Sequence, residues 1–151
     1  GGTYISHSKK AKPDITLLSM PTGGGKSCCA GAVASMSKSD GRSIVLTHTK
    51  QLQDAYMDGL GSFVATVKGK DNYDCLHPAA VWGTTVKSAL CQIGYKCPHR
   101  GNCQYFIEKD VVENVTDMAV LSYAYFFPAF NYAGLNLGNR SFVTCDEAHL
   151  L

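Results

Sequence analysis

Ile15-Thr16-Leu17-Leu18-Ser19-Met20 runs straight into Pro21-Thr22-Gly23-Gly24-Gly25-Lys26-Ser27. A short apolar run that stops at a proline and three glycines is how a buried parallel strand meets a tight turn. Beyond Gly25, residues 26–38 are rich in Ala, Ser and Met with only Gly31 as a breaker, which predicts a helix that stops before Ser39-Asp40-Gly41. The alternation recurs downstream. Ser43-Ile44-Val45-Leu46-Thr47 reads as a strand, residues 50–60 place Leu52, Ala55, Tyr56 and Leu60 at helical spacing, and Phe63-Val64-Ala65-Thr66-Val67 is a third β-rich run. After an irregular stretch from 69 to 102 come a helix over 104–115, a strand at Met118-Ala119-Val120-Leu121 and an aromatic helix over 122–130 that Pro128 is expected to end early. Ser141-Phe142-Val143-Thr144-Cys145 is the last strand and leads into Asp146-Glu147-Ala148-His149. Such alternation predicts an α/β fold, a mostly parallel sheet covered on both faces, with ligands at the carboxyl ends of its strands. The glycine loop and Asp146-Glu147 both fall there.

The 151 residues suffice for one domain with a single core, and 45% hydrophobic with 17% charged content excludes general disorder. Fourteen Lys and Arg against twelve Asp and Glu leave a formal charge of +2, too small to identify a polyanion partner by bulk charge, so a nucleic-acid surface would be local. No apolar run approaches a membrane span, and the stretch after Lys9, Lys10 and Lys12 is too short for a signal-peptide core. The expected location is therefore intracellular, cytoplasmic or nuclear/nucleoid, with no membrane partner.

Chemistry concentrates at three places. In the glycine loop, main-chain N–H groups can approach phosphate oxygens while a helix N-terminus adds positive potential. Thr22, Gly23, Gly24, Gly25, Lys26 and Ser27 are the expected phosphate-binding residues, with Lys26 on the β- and γ-phosphates and the Ser27 hydroxyl on Mg2+. Met20 stands where the general P-loop pattern has its first glycine. At the other end, Asp146 is expected to face that magnesium ion and Glu147 to orient or deprotonate the attacking water. His149 could couple nucleotide state to a neighbouring domain.

The third place is the irregular stretch, longer than a structureless loop usually runs, so something other than a core is expected to order it. Seven cysteines without a secretory signal argue for thiolate ligands or buried thiols rather than disulfides. Cys75, Cys91, Cys97 and Cys103 follow the pattern C-x15-C-x5-C-x5-C in a Gly- and Pro-rich setting and are the metal-ligand candidates. Their spacing leaves a four-iron four-sulfur cluster and tetrahedral zinc both open, with His77 or His99 able to replace one thiolate. Cys28, Cys29 and Cys145 lie in apolar segments and are expected to be small buried hydrophobes. Between 68 and 103, Lys68, Lys70, Lys87, Lys96 and Arg100 outnumber Asp71 and Asp74, and Trp82, Tyr73, Tyr95 and Tyr105 are interleaved with them, a composition suited to stacking bases along a strand. Tyr123-Ala124-Tyr125-Phe126-Phe127 reads as core or an interdomain face.

The loop Pro21-Thr22-Gly23-Gly24-Gly25-Lys26-Ser27 and the quartet Asp146-Glu147-Ala148-His149 resemble motifs I and II of superfamily 2 DEAH-type helicases. Leu46-Thr47-His48-Thr49-Lys50-Gln51-Leu52-Gln53 is similar to motif Ia of the iron–sulfur XPD/DinG-like branch, and Lys68-Gly69-Lys70-Asp71-Asn72-Tyr73-Asp74-Cys75 to the segment leading into its first cluster cysteine. The resemblance implies a RecA-like P-loop domain, the first motor domain of an ATP-dependent DNA helicase moving 5′ to 3′ on single-stranded DNA and opening duplex junctions. It implies ATP, Mg2+ and a 4Fe-4S cluster as cofactors. It places the first part of the motor domain at 1–68, the iron–sulfur insert at 69–103 and the remainder, ending at the DEAH box, at 104–151. Lys26, Asp146 and Glu147 become the catalytic set, and Thr47, His48, Thr49, Lys68 and Lys70 the DNA contacts. The family completes its ATP site with an arginine finger from a second RecA-like domain, so this chain is expected to be a motor-domain fragment that hydrolyses ATP poorly by itself and unwinds nothing. The rival from another class is a non-motor, zinc-stabilised nucleic-acid-binding module with a vestigial or regulatory P-loop; a small P-loop kinase would leave motif Ia and the quartet unexplained.

Overall fold

The computed structural model describes residues 4–8, 15–21, 24–36 and 42–150. Along the chain come β1 (Tyr4–Ser8), β2 (Ile15–Ser19), α1 (Lys26–Met36), β3 (Arg42–Thr47), α2 (Lys50–Leu60), β4 (Val64–Thr66), α3 (Gln104–Asp110), β5 (Met118–Ser122), α4 (Tyr123–Tyr132) and β6 (Arg140–Cys145). The last four strands form an all-parallel sheet in the order β4-β5-β3-β6, an α/β fold as the alternation predicted. Ile44 aligns with Ala119 and Val143, and Leu46 with Leu121 and Cys145, so the carboxyl ends of β3, β5 and β6 finish side by side.

β3 and β5 are the interior strands, and both are buried along nearly their whole length. A strand covered on both faces needs a continuous apolar run rather than alternation, which is how Ile44-Val45-Leu46 and Met118-Ala119-Val120-Leu121 read. Successive side chains still point to opposite faces. Val45 and Val120 pack with Ala34 of α1 and Tyr56 of α2 on one face. Ile44, Leu46, Ala119 and Leu121 pack on the other with Tyr105 of α3, Tyr123 and Tyr125 of α4, and Tyr73 and Val86 of the cysteine-rich segment. Each large side chain fully buried in this way contributes about 1.5–3 kcal/mol.

The helices have legible causes. Thr49 caps α2 by accepting a hydrogen bond from the Leu52 N–H at 3.2 Å, and Ser122 caps α4 by accepting one from the Tyr125 N–H at 3.4 Å. Gly31, the one breaker in α1, is buried where α1 meets α2: a Cβ there would lie 3.1 Å from Leu60 Cδ1. The glycine therefore brings the two helices together instead of ending one.

Several expectations are corrected. β2, read as a buried parallel strand, pairs antiparallel with β1 outside the main sheet, and all five of its residues are exposed, Leu17 at 64%. β1 supplies a partner close in sequence, so β2 satisfies its main-chain groups locally, while β6 pairs only with β3 among the described residues. Pro128 does not end α4, which continues to Tyr132. The proline forfeits one hydrogen bond to the Ala124 carbonyl, but both residues lie on the exposed side of the helix, where water can serve that carbonyl. The helix expected over 104–115 gives way at Val111 to a wider turn, Val111–Val115.

The stretch from 69 to 102 is also corrected in part. It is a succession of short turns, at Lys70–Asn72, Val86–Ser88, Leu90–Ile93 and Arg100–Asn102, with Asp74 bridged to Thr85. Yet it is not ordered from outside a core alone, because Tyr73 and Val86 enter the same apolar cluster as Leu46 and Leu121. Among the described residues no helix is long and apolar enough to cross a membrane.

Candidate functional site

The carboxyl ends of the strands gather residues far apart in sequence. Asp146 follows β6, and its N–H donates to the Leu46 carbonyl at 2.9 Å, extending the β3–β6 ladder by one rung. Its carboxylate is buried, and Ser27 at the start of α1 donates to Asp146 Oδ2 at 3.4 Å across 119 residues of chain. The Lys26 amine lies 4.0 Å from Glu147 Oε1 and donates to the Met20 carbonyl at 3.5 Å. Glu147 Oε2 lies 3.3 Å from His149 Nδ1. Lys26, Ser27, Asp146, Glu147 and His149 thus meet at one end of the sheet.

Two backbone features shape this place. Glu147 has φ +54, a conformation rare for a residue with a Cβ and one that collects at functional sites. Gly25 has φ +79 just before α1, and the Gly24 N–H donates to the Pro21 carbonyl at 3.0 Å. A Cβ on Gly24 would lie 3.0 Å from that oxygen. A side chain at Gly24 would crowd that oxygen, and from Gly25 the chain enters the amino end of α1, whose first N–H groups have no intrahelical acceptor. Thr22 and Gly23, also expected to bind phosphate, lie outside the described residues.

Hydroxyl and carboxylate oxygens converging beside a lysine suit magnesium and a phosphate chain, since Mg2+ takes few protein oxygens and keeps water or phosphate for the rest. The donor set formed by Ser27 and Asp146 therefore fits that cation.

Two residues at this site were legible only as packing positions. Tyr56 of α2 donates its phenol to Asp146 Oδ2 at 3.0 Å, and Tyr123 of α4 donates to the Asp146 main-chain carbonyl at 3.0 Å. Burial pushes both phenols well above their usual range, with the Asp146 carboxylate adding to the effect at Tyr56 and Cys145 adding to it at Tyr123. The available signal was that a tyrosine on a buried helix face needs a partner for its hydroxyl.

The expected strand contacts are arranged unequally. Thr47 is buried and donates to the Thr49 carbonyl at 3.3 Å, and Thr49 is committed to capping α2, so His48 is the exposed side chain of the three. Lys68 pairs with Asp54 at 2.7 Å and Lys70 donates to Gln92 at 2.7 Å. Of the aromatic residues expected along a strand, Tyr73 and Tyr105 are in the core, Tyr105 edge-on to Tyr73, whereas Trp82 and Tyr95 are exposed. Arg100 stacks on Phe106 at 3.7 Å from the ring centroid.

Cys75, Cys91 and Cys97 are half-buried, and Cys103 is buried at the amino end of α3. His77, two residues from Cys75, meets His99, two residues from Cys97, with ring centroids 5.8 Å apart. The folded turns bring those two flanks together, but among the described residues no group of three or more His, Cys, Asp or Glu is close enough to hold a metal ion. The four thiols alone do not form a closed ligand set. Cys28 and Cys145, expected to be buried hydrophobes, are exposed and Cys29 is half-buried, Cys145 at the end of β6 beside the Tyr123 phenol.

A cleft of about 270 Å3 lined by Phe63, Val64, Val111 and Val115 opens at the amino ends of β4 and β5. It lies at the opposite end of the strands from Asp146 and adds nothing to that site. Comparison with protein-family models, with curated proteins and with solved structures found nothing that matches this chain.

Proposed function

We propose that the chain is the first RecA-like motor domain of an ATP-dependent DNA helicase resembling the XPD/DinG branch, with an iron–sulfur insert over 69–103. The observation that carries the reading is Ser27 Oγ at 3.4 Å from Asp146 Oδ2, two oxygen ligands from motifs at opposite ends of the sequence, brought together where α1 packs on β3 and β6. The support from the cysteines is their number and spacing rather than their geometry.

When bound, magnesium would neutralise charge on the β- and γ-phosphates. Ser27 and Asp146 would hold it, directly or through water. Lys26 would leave Glu147 and the Met20 carbonyl for the phosphate oxygens, a short swing for a flexible four-carbon stem. Glu147, released from Lys26, would accept a hydrogen bond from the attacking water and orient it. His48, exposed between β3 and α2, would contact a strand laid over the same end of the sheet. By the resemblance, turnover also needs the arginine finger of a second RecA-like domain, so binding is the fair readout for this chain.

Equilibrium binding of a fluorescent ATP analogue, with and without Mg2+, tests the reading. The native chain is expected to bind with Mg2+-enhanced affinity, and Lys26→Ala to lose about 100-fold or more, corresponding to the loss of charge-assisted bonds to two phosphates. Absence of Mg2+-dependent nucleotide binding by the native chain would sink the motor assignment and favour the zinc-stabilised module.

A further inference from the structure

Asp146 is held by more than its strand. Its main chain is fixed twice, by the N–H bond to the Leu46 carbonyl at 2.9 Å and by the Tyr123 phenol on its own carbonyl at 3.0 Å. Its side chain is fixed separately, by the Tyr56 phenol on Oδ2 at 3.0 Å, with Ser27 as the weaker donor to the same oxygen at 3.4 Å. Tyr56 is 4% exposed and comes from the inward face of α2. In this pair the phenol O–H donates and the carboxylate oxygen accepts. Oδ1 accepts no hydrogen bond from a described residue.

A carboxylate with one oxygen occupied by a buried donor has its rotamer set before any cation arrives. From this geometry we infer that Tyr56 is a positioning residue, whose hydroxyl holds the Asp146 carboxylate so that Oδ1 is presented to the divalent cation. The inference rests on the nucleotide-site reading above and deepens it by one residue outside the loop and quartet. Tyr56 also belongs to the helix that begins at the Thr47-His48-Thr49 loop, seven residues or about 10 Å along the axis from its cap at Thr49. The phenol therefore ties the cation site mechanically to the element that follows the strand-contact loop. Groups that orient a metal ligand from behind typically matter about 10- to 100-fold in metal affinity.

The test is the Mg2+ dependence of ATP-analogue binding by the full chain, native, Tyr56→Phe and Tyr123→Phe, each also measured in EDTA. Tyr56→Phe removes one oxygen and leaves the ring in the core. It is expected to raise the half-saturating Mg2+ concentration about 10-fold while the metal-free nucleotide affinity and the far-UV circular dichroism stay unchanged. Tyr123→Phe removes a phenol from the same aspartate, but from its carbonyl, and is expected to lower the thermal midpoint without moving the Mg2+ curve. In an Asp146→Asn background, Tyr56→Phe should have no further effect on that curve. Superimposable Mg2+ curves for the native chain and Tyr56→Phe would overturn the inference and leave the P-loop reading standing. An equal shift from Tyr123→Phe would overturn it too, by showing that any loosening of Asp146 is felt, and holds the inference to account should Tyr56→Phe fail to fold. A native chain that binds no nucleotide would remove both the reading and the inference.

Discussion

The two regions that carry candidate chemistry are built in opposite ways. At the Asp146 end, β6 leads into residues 146 and 147 beside the amino end of α1, which packs on β3 and β6 and carries 26 and 27, and hydrogen bonds from α2 and α4 lock the result. In the cysteine-rich segment, short turns carry four thiols through a stretch with no strand ladder beyond the single Asp74–Thr85 bridge, and the thiols do not close on one another. A site on strand ends is assembled by the fold and needs no ligand to exist. A metal site on irregular turns, as proposed for the four cysteines, would draw metal binding and local folding from the same free energy.

The sharpest way to break that contrast is Cys97→Ser. It is expected to abolish bound metal, read as iron, acid-labile sulfide and zinc on anaerobically purified protein, and to open residues 69–102 to protease while the sheet keeps its circular dichroism. About four iron and four sulfide in the native chain would favour the cluster, and one zinc without sulfide the zinc module. Metal content unchanged by Cys97→Ser would remove that residue from the ligand set. A second change asks how much of the segment is held by the core instead. Val86 is 1% exposed in the cluster shared with Leu46 and Leu121, so Val86→Ala should cost about 2 kcal/mol in urea unfolding. A cost under about 0.5 kcal/mol would mean that the segment is not anchored there.

Alkaline pH probes both regions at once. Burial is the main reason that Tyr56, Tyr73, Tyr105, Tyr123 and Tyr125 are all raised above 10.0. The folded chain therefore keeps protons that the unfolded chain releases near pH 10. The stability this represents is fully present below that pH and is lost as pH rises through it, by about 1.4 kcal/mol per pH unit for each such tyrosine. Arg140 is pushed the other way, downward, by burial first and by Arg42 second. Five groups against one give net alkaline destabilisation, to be followed in a chain with Tyr4, Tyr95 and Tyr132 changed to Phe as tyrosinate absorbance appearing together with unfolding rather than before it. Tyrosinate that formed in the intact fold would contradict the burial of these phenols.

How legible this was depended on what each residue answers to. β3, β5 and α2 were readable because local pattern and tertiary burial ask for the same residues: an unbroken apolar run for an interior parallel strand, and helical spacing behind Thr49 for a capped helix. β2 was misread because an apolar run states that it prefers a strand but not which strand it will pair with, and β1 was the nearer partner. Pro128 was misread because the cost of a helical proline depends on whether the orphaned carbonyl faces water. At the site, Lys26, Ser27, Asp146 and Glu147 were visible as types and spacings. Tyr56 and Tyr123 were not, since a tyrosine hydroxyl finds its partner through tertiary packing alone. The cysteines show the limit from the other side: their spacing is compatible with a cluster or with zinc, and among the described residues they belong to no group of three or more potential ligands.

Trp82 offers the smallest structural effect and the most selective functional one. It is the only tryptophan in the chain and is fully exposed, on a turn closed by the Thr84 N–H donating to the Val81 carbonyl at 2.9 Å, with Gly83 at φ +82. That turn holds the ring out from the cysteine-rich segment, whose lysines include the exposed Lys87 and Lys96. A large aromatic side chain left in water stabilises nothing, so Trp82→Ala should change unfolding free energy by less than about 0.5 kcal/mol. Stacking on a base is worth about 1–3 kcal/mol, so the same change should weaken single-stranded oligonucleotide binding by about 5- to 150-fold. In the native chain, indole fluorescence should be quenched as oligonucleotide is added, with affinity that falls as salt rises. Quenching by nucleotide alone, with none from the oligonucleotide, would assign Trp82 to a different partner. Loss of stability in Trp82→Ala would mean that the ring packs against something in solution, and the contrast between an end locked by hydrogen bonds and a segment built of turns would have to be redrawn around that contact.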